Sequence, residues 1–187
     1  KLVITDPSGG WGDPPRSFAD VVDPDAEYRR DLADRQGGRV VPALERALAG
    51  GVVNANLCRA RDLDRELFTF DGTGTLFTRG GYLRIERLRV EDLPAVEALV
   101  AQGVADGLLR PRGRHEVARL AVEGLGARMV GGDHLAGIVG LEREPYRAER
   151  VGEVASLYAV SRFSAAGAGG LLVDGLTPRM PPPQREA

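Results

Sequence analysis

The feature that most limits the folds open to this chain is Gly80-Gly81, which separates two differently patterned blocks. Behind it, Tyr82 to Leu88 reads as a strand with Leu83 and Ile85 on one face. Asp92 as a cap and Pro94 in the first turn then open a helix. Its apolar stripe is Leu93, Val96, Val100 and Val104. A second helix is predicted from about Arg114 to Leu125. Ala127 to Val130, a turn at Gly131-Gly132-Asp133 and Leu135 to Leu141 read as a hairpin. Val151 to Val160 is another strand, and a glycine-rich turn leads into a short helix, Gly170 to Leu176. This order of strand, helix, helix, three strands, loop and helix defines an α/β or α+β unit.

The block before Gly80 alternates strands and helices. Lys1 to Asp6 reads as a buried strand, followed by a Gly-, Pro- and Asp-rich loop to about Pro24. A polar helix is predicted from Asp25 to Gln36, stopped by Gly37-Gly38. Val41, Leu44 and Leu48 then mark one face of a helix ending at Gly50-Gly51. Val52 to Leu57 is an expected strand, and Glu66 to Phe70 another, running into the turn Asp71-Gly72-Thr73-Gly74. The opening on a strand and the proline-rich stretch Pro178 to Pro183 make both ends read as cut, so the chain is expected to be a fragment. Without further strands its sheets would expose apolar edges, and poor solubility is expected.

Composition narrows the function class. Net charge is -2, from 25 basic and 27 acidic side chains in 187 residues, which gives no single-sign field for nucleic acid or an anionic membrane. Cys58 is the one cysteine and there are two histidines, His115 and His134, both in polar turns, so neither a disulfide nor a zinc cage is expected. No apolar run approaches the roughly 20 residues of a bilayer span. A cytoplasmic setting and no metal are the expectations.

Ser164-Ala165-Ala166-Gly167-Ala168-Gly169 lies between an apolar strand and a helix. Small residues there let backbone N–H groups approach a ligand, and the helix N-terminus favours a pyrophosphate. Such turns also occur where nothing binds. The spacing does not fit the dinucleotide fingerprint. Together with the preceding strand, Val151 to Val160, the turn resembles the acetyl-CoA motif of the Gcn5-related acetyltransferases. Ser164 stands where that motif has Arg or Gln, and Arg162 is a candidate to compensate.

The resemblance extends to both blocks. Glu66-Leu67-Phe68-Thr69 with Gly72, Gly74 and Thr75 is similar to the closing segment of amino-acid kinase domains of the acetylglutamate kinase type, and Gly37-Gly38, Pro42, Ala47 and Gly51-Val52 are similar to what precedes it. Gly107 to Arg112 and Glu144-Pro145-Tyr146 with Gly152-Glu153 complete a resemblance to the N-acetylglutamate synthase family. It implies residues 1–78 as the C-terminal portion of a kinase-like domain, 82–176 as an incomplete acetyltransferase domain, and 177–187 as a polar tail. Ala43 stands where active kinases carry a phosphate-facing lysine, so the first block is expected to be regulatory and not a phosphotransferase.

What the resemblance implies for the site follows. Acetyl-CoA would be held by Leu157, Ala159, Val160, Ala165, Ala166, Gly167, Ala168 and Gly169. Glu153, on an otherwise apolar strand where burial would favour its protonated form, is the expected general base, against the alternative of a solvated strand-edge carboxylate. A backbone N–H near Leu157 or Tyr158 is the oxyanion donor, and Tyr158 reads as a core tyrosine before a proton donor to the thiolate. Arg110 and Arg112 are both candidates for the carboxylates of L-glutamate. Glu66 and Gly72 match the positions that hold the L-arginine inhibitor in relatives, or are a surface carboxylate and a turn glycine. The implied reaction converts acetyl-CoA and L-glutamate to N-acetyl-L-glutamate, in a protein that is a homo-oligomer at full length. An arginine sensor without catalysis and a phosphotransferase are the rival readings.

Overall fold

The computed structural model describes residues 1–12, 14–21, 37–69, 72–130, 132–144, 151–164 and 167–176. The helix expected at 25–36, the tail from 177, and Ala165 and Ala166 of the glycine-rich turn lie outside them. The chain divides into two compact units, Lys1–Tyr82 with Ser161–Ala166, and Leu83–Val160 with Gly167–Ala187.

The first unit holds a four-stranded sheet in the order β1-β3-β4-β2. Its strands are β1 (Leu2–Thr5), β2 (Phe18–Asp20), β3 (Ala55–Cys58) and β4 (Thr75–Thr78). The pairs β1–β3 and β2–β4 are parallel, and β3–β4 is antiparallel. Helix α1 (Gly37–Ala49) lays Leu44 and Leu48 against Trp11, Ala55, Leu57 and Phe77. Leu44 and Leu48 of the stripe read from the sequence therefore face the core, while the side chain of Val41 lies outside what the structure describes. β2 falls inside the segment expected to be loop; its middle residue, Ala19, is buried in the same core.

The strand expected at Glu66–Phe70 is not formed over Glu66–Phe68, and Phe70, with Asp71 of the expected turn, lies outside the described residues. Leu63–Phe68 is a helix, α2, entered through a 3-10 turn at Ala60–Asp62. Leu-Asp-Arg-Glu-Leu is rich in straight-chain residues that lose little rotamer freedom in a helix, and this outweighs the aromatic pair at Phe68 and Phe70. Thr69 ends α2, its hydroxyl and N–H both donating to the Arg65 carbonyl.

The second unit is an antiparallel sheet, β5 (Leu83–Arg87), β6 (Leu125–Met129), β7 (Leu135–Glu142) and β8 (Glu153–Ala159), in that spatial order. Helices α3 (Leu93–Ala105) and α4 (Arg114–Glu123) cover one face. Val96, Leu99, Val100, Val117 and Leu120 pack there with Ile138 and Tyr158. Adjacent strand residues point to opposite faces, so Val139, next to Ile138, belongs to the other core with Leu125, Ala127, Leu172 and Leu176. The last two lie on helix α6 (Ala168–Leu176); the short helix α5 (Ser161–Ser164) precedes it in the chain and belongs to the first unit.

Asp92 does precede α3, but its carboxylate makes no bond to that helix's first turn. It accepts from the Arg89 N–H at 2.9 Å and from the buried Arg128 guanidinium at 2.7 Å. Arg128 also donates to Asp133 and faces Glu86 at 3.5 Å, so this buried cation is matched by acidic groups.

Candidate acyl-transfer site

Strand β8 does not pair evenly with β7. Ile138 lies opposite Tyr158 and Gly140 opposite Ala155, so Val139 faces two residues, Ser156 and Leu157. That is a β-bulge, which leaves backbone groups outside the regular ladder. Ser156 takes a φ of 55°, the one non-glycine residue with positive φ among those described. A serine in this region is strained, and such strain gathers at ligand sites. The bulge also resets the alternation, leaving Leu157 partly exposed beside the buried Tyr158.

A shallow cleft open to solvent lies against the bulge, lined by Arg112, Glu116, Arg119, Glu142, Ala155 and Ser156. Gly140 forms part of its floor, where an added Cβ would lie 3.0 Å from a Leu120 methyl. Arg112 comes from the segment before α4, Glu116 and Arg119 from α4, and Glu142 from the end of β7. Arg112 Nη1 donates to Glu116 at 3.0 Å and to Glu142 at 3.4 Å, and Arg119 Nη2 donates to the same Glu142 oxygen at 3.4 Å. The Gly113 N–H, and then the Arg112 guanidinium, hold the Glu116 carboxyl below its ordinary value. The cleft therefore carries two cations beside charged acidic partners.

Of the two arginines considered from sequence, Arg112 lies at this cleft and Arg110 is exposed and is not part of its lining. Arg112 Nε is buried and has no hydrogen-bond partner. Glu153 begins β8 directly opposite Glu142 in the register. It shares the sheet face of the cleft but is exposed, not buried in apolar surroundings. Tyr158 donates to Asp106 at 2.7 Å from within the α3–α4 core, which supports the core-tyrosine reading. His115 and His134 are both exposed.

Beyond β8, Gly167 has a φ of 74° and precedes α6, whose first intrahelical bond runs from the Leu171 N–H to the Gly167 carbonyl. The preceding N–H groups, of Ala168, Gly169 and Gly170, are first-turn donors with no partner inside a helix. A Cβ at Gly167, Gly169 or Gly170 would meet nothing within 4 Å, so this end of α6 borders open space. Ala159 and Val160 are half-buried on the way to it.

Arg162 does not stand in for the missing phosphate-directed side chain. It is 3 % exposed, within the first unit, and its guanidinium pairs with Glu66 at 2.5 Å. Glu66 is fully buried on α2. One of its oxygens accepts from the Thr73 and Gly74 N–H groups at 2.9 and 3.0 Å; the other accepts from Asn56 and Arg162. Burial alone would raise the Glu66 carboxyl, but those two N–H groups and Arg162 outweigh it and hold it below its ordinary value. Gly72, with a φ of 52°, leaves room for the guanidinium, since a Cβ there would strike both Arg162 and Glu66. Glu66 and Gly72 thus lie together, and the guanidinium beside them is the chain's own.

Sequence reasoning missed Arg119, Glu116, Glu142 and Ser156. The Arg112–Glu116 pair at i,i+4 was readable. The place of Glu142 follows only from strand register, and nothing local marks the strain at Ser156.

The second unit is thus a helix-covered antiparallel sheet opened by a bulge at its last strand, with a glycine-led helix beyond. Comparison with known proteins agrees with the resemblance drawn from the residues. The chain is 29% identical over 120 residues to an amino-acid acetyltransferase of Neisseria meningitidis serogroup B, and 30% over 120 residues to that of serogroup A. Each alignment covers 61% of this chain, and the chain spans only 27% of the length of those relatives. No family model matches. The N-acetylglutamate synthase of Neisseria gonorrhoeae, solved with coenzyme A and L-arginine, superposes with a TM-score of 0.50 at 20% identity, over 96% of this chain and 40% of that one. The mixed α/β fold expected from the sequence agrees with that likeness.

Proposed function

We propose that this chain is part of an amino-acid N-acetyltransferase that transfers the acetyl group of acetyl-CoA to the α-amino group of L-glutamate, releasing CoA. The observation that carries this reading is the cleft beside the bulge of β8, where Arg112 and Arg119 offer cations for an acidic acceptor next to the strand bearing Glu153. The similarity to amino-acid acetyltransferases supports the same chemistry.

In this reading the backbone of β8 around Leu157, Ala159 and Val160 receives the pantetheine arm. The turn through Ala165, Ala166, Gly167, Ala168 and Gly169 receives the pyrophosphate, with first-turn N–H groups of α6 as donors. Arg112 takes an acceptor carboxylate through Nη2 of its guanidinium. Glu153 accepts the proton from the substrate ammonium, directly or through a water, and the freed amine attacks the thioester carbonyl. Collapse of the tetrahedral intermediate breaks the C–S bond, and the thiolate takes up the proton that the newly acylated nitrogen gives up as CoA leaves. An N–H of the bulge stabilises the oxyanion. No step calls for a metal.

The first unit is regulatory in this reading. Ala43 provides no charge for phosphoryl transfer, and Glu66 with Gly72 is the place where an L-arginine effector would act, which requires it to displace Arg162. The product would enter arginine biosynthesis in the cytoplasm, from a protein that assembles as a homo-oligomer.

Calorimetric titration of the full-length protein with acetyl-CoA and, separately, with ATP tests the assignment. Binding of acetyl-CoA and not of ATP is expected, with N-acetyl-L-glutamate formed when L-glutamate is added. Tight ATP binding with no acetyl-CoA signal would reverse it.

A further inference from the structure

The two acidic partners of Arg112 both bind the same nitrogen, Nη1. The side chain is thus gripped at Nη1, while Nη2 has no partner among the described residues and Nε is buried without one.

Glu142 supplies part of the grip and does something more. One of its oxygens accepts from both Arg112 and Arg119. Two guanidiniums repel, and Arg119, with 46% of its side chain exposed, is free to swing into solvent unless something holds it. The shared carboxylate is that restraint. Its bonds are long, at 3.4 Å, near the outer limit of a hydrogen bond. They orient the cations without matching the shorter contacts an incoming carboxylate would make.

We propose that Glu142 is a positioning residue for the acceptor's carboxylates: it holds Arg112 by Nη1 so that Nη2 meets one carboxylate, and tethers Arg119 as the second cation for the other. This rests on the reading that Arg112 binds the acceptor. It makes the cleft selective for dicarboxylic amino acids, because a neutral side chain would leave Arg119 with Glu142 alone.

The test is the KM-against-kcat split of Glu142→Gln, with L-glutamate titrated directly by calorimetry. The expected result is a KM and Kd for L-glutamate raised about tenfold, kcat within about twofold, and acetyl-CoA affinity unchanged. In an Arg112→Ala background the same change should add almost nothing, since positioning acts through Arg112; a merely structural role would add in full. Glu142→Asp, which keeps the charge, should fall between Gln and wild type, and provides the comparison if the Gln variant does not fold. Unchanged or tighter L-glutamate binding in Glu142→Gln overturns the inference, the second outcome making Glu142 a competing anion, while acetyl transfer stands. Failure of the wild type to bind acetyl-CoA or acetylate L-glutamate instead removes the underlying reading, and the inference with it.

Discussion

Arg162 and Glu66 stand 96 positions apart in the chain and form a buried ion pair at 2.5 Å, with side chains 3% and 0% exposed. The guanidinium also donates to the Gly74 carbonyl at 3.1 Å. Removing one partner of such a pair strands an uncompensated charge, at a cost of about 3–5 kcal/mol. Arg162→Ala should therefore unfold the first unit at much lower denaturant than wild type. Arg162→Met with Glu66→Gln should recover part of the loss. Equilibrium denaturation of the single and double variants checks this, and additive losses would rule out the coupling.

The same pair sets a pH dependence. The Glu66 carboxyl is held below its ordinary value, so ionisation favours the folded state. Its contribution is complete above the ordinary glutamate value and is lost as pH falls through the depressed folded value. Stability of the first unit should decline on acidification across that window, and Glu66→Gln should flatten the decline. Thermal melts over a pH series provide the measurement.

Glu153→Gln should lower turnover by roughly two to four orders of magnitude, the scale of a lost general base, with acetyl-CoA affinity little changed. Steady-state rates across pH decide it. An unaltered pH–rate profile would remove Glu153 from the mechanism.

Arg112→Ala should raise KM for L-glutamate roughly 10- to 150-fold, which corresponds to the loss of a charged hydrogen bond of about 1.5–3 kcal/mol. Arg110→Ala should stay within about twofold, because Arg110 is outside the cleft lining. Equal effects at the two positions would contradict the geometry.

Ser156→Gly should raise stability, because a side chain in the left-handed region costs about 1–2 kcal/mol that glycine does not bear. Ser156→Val, β-branched at the same φ, should lose stability and acetyl-CoA affinity together. A glycine variant no more stable than wild type would show that the bulge is not strained.

The sequence by itself determined what is local. The stripe Leu93, Val96, Val100 and Val104 specified α3 because residues three and four apart share a helix face. Gly167 marked a turn because its φ is one that side chains avoid. The apolar runs placed β5 to β8, each within a few residues. Tertiary structure decided what depends on distant partners. Whether Arg110 or Arg112 reaches the cleft turned on how the chain enters α4. The pairing of Glu142 with Glu153 came from strand register, and the strain at Ser156 from a one-residue mismatch between β7 and β8. Arg162 read as a phosphate ligand because its neighbours in sequence suggested one. Burying a guanidinium requires a carboxylate, and the carboxylate that met it, Glu66, was 96 residues away.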